Sequence, residues 1–200
     1  RKPKVEESFL AMAIMGIALV QNMTMHKVWA EATDAIKAAT GITSPAVLFT
    51  AVFVVAVAFP VASLALAAKV AANAGGGTVT LWFARFGYAT IPLDIAGHIA
   101  HNLFHLLAEG KAVWFTAMPL FGRTAGDGSA ALVSTGTIQA LQYLVVALGT
   151  VASLYTAKRI AQAHTGTRPW TRTVTPFAAI IIMFAVINIG LFAMPMAHRM

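Results

Sequence analysis

Residues 81–107 read LWFARFGYATIPLDIAGHIAHNLFHLL, a stretch of 27 that is mostly apolar and carries one acid and three histidines after Arg85. With about 100° of turn per residue and Asp94 set at 0°, His98 falls near 40°, His101 near −20° and His105 near 20°. One arc of roughly 60° therefore holds all four groups, and the stripe climbs about 16 Å at ~1.5 Å per residue. Arg85 falls on the opposite side, toward the N-terminal end. An apolar helix with a ladder of titratable groups along one edge implies a membrane span built around a polar path or site.

The rest of the chain fits that reading. Of the 200 residues 58% are hydrophobic and 10% charged, with mean hydropathy +0.76. A water-soluble domain carries about 25% charged residues, so this composition excludes an ordinary soluble protein. The formal charge is +7, from 14 Lys and Arg against 7 Asp and Glu. The basic residues stand between apolar runs, which ties them to membrane orientation and not to a nucleic-acid partner. There is no cysteine, so this segment has no disulfide, thiolate metal site or iron–sulfur cluster. The chain opens Arg1-Lys2-Pro3-Lys4 without a signal-peptide pattern, and we read it as the membrane part of a longer chain in preference to a processed start.

Five spans emerge, making one all-α, polytopic membrane helical bundle. They cover residues 8–25, 45–72, 81–107, 137–157 and 176–196. Residues 31–40 read as a short surface helix ended by Gly41, and Trp29 as an interfacial aromatic. Pro60 and Pro92 predict bends in the second and third spans. The bend before Asp94 would free backbone carbonyls that need partners in the protein or water. Residues 112–122 (AVWFTAMPLFG) are too short to cross, so they read as an interfacial or re-entrant piece. Counting Lys and Arg puts nine on the side of the N-terminus and the 158–175 turn and five on the other. The bias places the N-terminus in the cytoplasm and the C-terminus outside. His98, His101 and His105 then step outward from Asp94, and His26 and His198 end their spans on the same outer side; His164 alone is cytoplasmic.

Three chemistries suit such a stripe. Two imidazoles on different helices can hold a b-type haem, which pairs His98, His101 or His105 with His26 or His198 and uses Gly97 as room for the macrocycle. A quinol oxidised near the outer surface must lose two protons, and Asp94 with His98 supplies catalytic acceptors for them. Zinc or copper could bind His98, His101 and His105, with a further ligand from elsewhere. Single polar residues such as Asn188, Gln139 and Gln142 read as interhelical hydrogen bonds. The methionines toward the outer side are ordinary membrane packing, and no nucleophile arrangement supports hydrolysis.

Within the third span, Arg85, Pro92, Leu93, Ala100, His101, Phe104 and His105 match a recurrent pattern. The stretch resembles the membrane region of integral-membrane polyferredoxins, the kind accessory to nitrate and nitrous-oxide respiration. Residues 21–25 (QNMTM) are similar to the end of a helix in the same family. The resemblance implies an electron-transfer role in a bacterial or archaeal inner membrane, within a respiratory oxidoreductase complex. Iron–sulfur clusters would sit on a redox partner or on another part of the chain. Two other classes remain open: a metal-ion or proton-coupled transporter using the same stripe, and a passive anchor or assembly subunit.

Overall fold

The computed structural model describes residues 3–124 and 128–194. It is all-α: α1 (Val5–Met23), α2 (Lys27–Thr40), α3 (Pro45–Gly75), α4 (Val79–Ala117), α5 (Thr135–His164) and α6 (Trp170–Ala193), with a short 3-10 turn at Met118–Phe121. Local chemistry sets several of the boundaries. Thr78 and Ser134 begin α4 and α5 by accepting the backbone N–H of Leu81 and Thr137. Pro45 occupies the first turn of α3, where its missing N–H costs nothing. Gly41 ends α2 at φ 70° and Gly76 ends α3 at φ 75°, conformations open to a residue without Cβ.

Four helices, α1, α3, α5 and α6, are long and apolar enough to cross a membrane. The expected count is five. The difference lies in α4, at 39 residues the longest of all, whose polar stripe dilutes its apolar character. It packs against α1, α3, α5 and α6, so those helices supply the cover that its own sequence lacks. Contacts give its direction. Phe86 stacks on Phe177, and Gly97 faces Asn188, so α6 rises parallel to α4 with both helices advancing eleven residues. Ser8 touches Ala84 and Gly87, so α1 is parallel too. Leu93 meets Ser153 and Ala100 meets Gln142, so α5 runs the other way.

The α5 helix shows how the bundle is held. Gly149, Ser153, Ala157 and Ala161 form a buried small-residue face, while Leu144, Leu148, Val151 and Tyr155 stand exposed. Large apolar residues outside and small ones inside is the reverse of a water-soluble helix. It suits lipid, where apolar side chains gain nothing by leaving the exterior and close backbone approach supplies the attraction. A Cβ on Gly149 would meet Pro92 O at 2.9 Å, which shows how near α5 and α4 come. The same device recurs where Gly16 of α1 crosses α3, with Val57 Cα at 2.6 Å from such a Cβ.

Several expected boundaries move. Residues 112–122 do not form a separate re-entrant piece: 112–117 are the last turns of α4 and 118–121 the 3-10 turn. The sequence break does leave a mark. Leu107 C=O accepts from Leu132 N (2.7 Å) and Lys111 N–H donates to Ala130 O (3.0 Å), so the loop bonds both ends of one helical step. Gly110 admits the Leu132 side chain there. Pro176 does not open the last helix but lies inside it, since Pro169 caps a start at Trp170. Pro60 and Pro92 also lie within continuous helices.

Candidate functional site

Pro92 introduces the site. Its ring disturbs the hydrogen-bond ladder of α4, and Leu93 N–H donates to Ser153 Oγ at 2.9 Å. The group met here by a side chain of α5 is an amide, where carbonyls are the orphans expected of a proline. Two turns on, Gln142 Nε2 donates to Ala100 O at 2.9 Å, again from α5. Asn188 Nδ2 donates within its own helix to Phe184 O, and its Oδ1 lies 3.2 Å from where a Cβ on Gly97 would be. The room expected beside Gly97 for a haem is therefore taken by Asn188. On α4 the positions facing α5 lie about 100–160° from Asp94, and Gly97 lies about 60° from it. These contacts hold the helix from behind and leave the stripe facing another way.

Along the stripe the acidic and imidazole groups meet in successive turns. Asp94 is 9% exposed and lies 3.8 Å from His98 Nε2, whose side chain is 35% exposed. Asp94 Oδ1 and His98 Nε2 are both buried atoms with no hydrogen bond among the described residues. At 3.8 Å they sit just beyond hydrogen-bonding distance of each other. His101 is buried (6%) and its ring stands edge-on to that of His105, with centroids 5.0 Å apart. His105 Nδ1 is 3.4 Å from Glu109 Oε2, on a side chain 47% exposed. Glu109 extends the ladder by one more turn than the sequence reading carried it; the spacing of four from His105 is the signal that would have shown it.

The remaining candidates are placed as follows. His26 is buried between α1 and α2, at the same end of the bundle as His105. His198 lies outside the described residues. His164 is at the other end, with Nδ1 2.9 Å from Ile160 O in its own helix. Asn22, one turn before His26, is 3% exposed, and its Nδ2 has no hydrogen-bond partner among the described residues. Among the described residues no three His, Asp or Glu side chains converge as a metal ion would require. The histidines of α4 follow one another along a line instead of closing around a point.

The other end of α4 is built differently. Trp82 Nε1 donates to Gly76 O at 2.6 Å, and the Arg85 guanidinium lies 5.3 Å from the Trp82 ring centre. Phe86 and Phe177 stack 3.6 Å apart, and Ser8 Oγ donates to Ala84 O at 2.8 Å. Tyr88 OH donates to Glu7. Comparison with protein families, with curated proteins and with solved structures finds no match for this chain.

Proposed function

We propose that the chain is the membrane domain of an electron-transfer system, and that the stripe on α4 takes up and carries away protons released by a quinol near Asp94 and His98. The observation that carries this reading is two runs of neighbours on one helix edge, the buried Asp94 with His98, and His101 with His105 and the half-exposed Glu109. Proton transfer needs groups within hydrogen-bond reach or one water apart. Imidazole suits a relay because one ring nitrogen can accept while the other releases. Side chains serving only as glue between helices would be bonded to neighbouring carbonyls, as Gln142 is; Asp94 Oδ1 and His98 Nε2 are bonded to none.

The resemblance of residues 85–105 to the membrane region of polyferredoxins supports the redox setting. Oxidation of a quinol yields two protons and two electrons. The protons go to the stripe, and the electrons to iron–sulfur clusters on a redox partner or a further part of the chain, because these 200 residues contain no cysteine. The charge bias supports the orientation: N-terminus in the cytoplasm, and the stripe opening toward the outer face of a bacterial or archaeal inner membrane.

Quinol-dependent electron flow in membranes carrying the intact system tests the reading. Asp94→Asn and His101→Ala should each lower it by about a hundredfold or more, the usual scale for loss of a general base. Flow at the wild-type rate in both variants would overturn it. An optical spectrum of the purified protein separates the rivals: a Soret band that shifts on reduction would give the histidines to haem b, with His26 the candidate second ligand. Stoichiometric zinc or copper in a colourless protein would give them to a metal.

A further inference from the structure

Asn22 is a buried amide whose donor nitrogen has no hydrogen-bond partner among the described residues, on a helix that packs beside α4. Its place relative to the stripe follows from the contact lower in the bundle. Ser8 of α1 touches Ala84 and Gly87 of α4, with Ser8 Oγ bonded to Ala84 O and Ser8 Cα at 2.7 Å from a Cβ built on Gly87. Gly87 lies at about 20° on α4, inside the arc of the stripe, so α1 meets α4 on the stripe side. The two helices run parallel with the same rise and turn per residue. Fourteen residues beyond Ser8 is Asn22; fourteen beyond Ala84 and Gly87 are His98 and His101. Asn22 is therefore level with those two histidines, on the face of α1 within about 40° of Ser8. Gly16, which faces α3, is turned about 80° to the other side.

Two helices thus bring an amide donor to the height of His98, with the Asp94 carboxylate one turn below on α4, each with an unbonded polar atom among the described residues. We infer that Asn22 is a ligand-binding residue of the site, its amide donating to a carbonyl oxygen of the quinone headgroup across from Asp94 and His98. The inference rests on the quinone reading given above and adds a second wall to it. A carboxamide can donate to a carbonyl without titrating, which leaves proton transfer to the groups on α4. A donor poised for a ligand, and unbonded without one, also explains why a polar side chain persists at a buried position in lipid.

Infrared spectroscopy of a short-tailed benzoquinone labelled with ¹³C at its carbonyls, bound to the whole purified protein, tests this. The wild type should show one carbonyl stretch lowered relative to the quinone in empty micelles. Asn22→Leu should lose that shift and bind about tenfold more weakly, as expected for one hydrogen bond. Asn22→Ser keeps a donor and should recover part of both. Wild-type affinity and frequency in Asn22→Leu, with binding lost in Asp94→Asn, would overturn the role of Asn22 and leave the quinone reading in place. A wild type that binds no quinone would overturn both. The Leu variant should unfold at the wild-type temperature or above it; a large fall would make Asn22 a structural residue and overturn the inference.

Discussion

The two halves of α4 solve opposite problems. From Trp82 to Leu93 the helix is closed against its neighbours by stacked rings, by Gly87 under Ser8, and by a serine that takes up the amide of Leu93. From Asp94 to Glu109 it carries ionisable groups on one edge, with orphaned atoms at Asp94 and His98, a buried His101, and 47% exposure at Glu109. The first half is mostly packing, with Arg85 Nε its one buried polar side-chain atom without a partner among the described residues; the second carries the run of acids and imidazoles. In a bilayer, polar groups without partners are costly, so a helix can carry them only where other parts of it are tightly held.

Substitutions on either side of Pro92 should therefore separate stability from function. Phe86→Ala breaks the closest ring stack, and thermal unfolding should show a loss of about 3 kcal/mol, the lower end for a buried aromatic. Retained stability would mean that the stack is replaceable and the contrast overstated. Asp94→Asn should do the reverse: the unfolding temperature stays level or rises, while quinol-dependent turnover falls about a hundredfold, equal to roughly 2.7 kcal/mol of barrier. A destabilised Asp94→Asn with normal turnover would erase the distinction. Ser153→Ala sits at the border of the two halves and leaves Leu93 N–H without its acceptor, so a loss of about 1–2 kcal/mol is expected by the same unfolding measurement. Gln142→Leu removes one interhelical bond behind the stripe and should cost least, about 0.6 kcal/mol, the usual scale for such bonds in membranes.

Much of this division is legible along the chain. The stripe is a matter of phase: spacings of three and four put Asp94, His98, His101 and His105 on one edge of any α-helix, whatever surrounds it. The end of α2 at Gly41 was legible too, from glycine chemistry. What local pattern could not supply was continuity. Residues 112–117 extend α4, and Trp170 begins α6 ahead of Pro176, because backbone hydrogen bonding continues wherever packing supports it. Nor could pattern pair Leu93 with Ser153, sixty residues away. Those partners belong to different helices, and helix order along a chain does not state which helices touch.

By itself, the sequence determined that the chain is helical, that its exterior is made for lipid, and that one helix edge concentrates its ionisable groups. Each of these depends on composition or on the fixed geometry of a single helix. Only the tertiary structure decided that α4 lies among four helices apolar enough to span a membrane, that Asn188 lies beside Gly97, and that Ser8 of α1 meets α4 at Ala84 and Gly87. Those facts depend on how closely small residues such as Gly87 and Gly149 let separate helices approach, which no single helix contains.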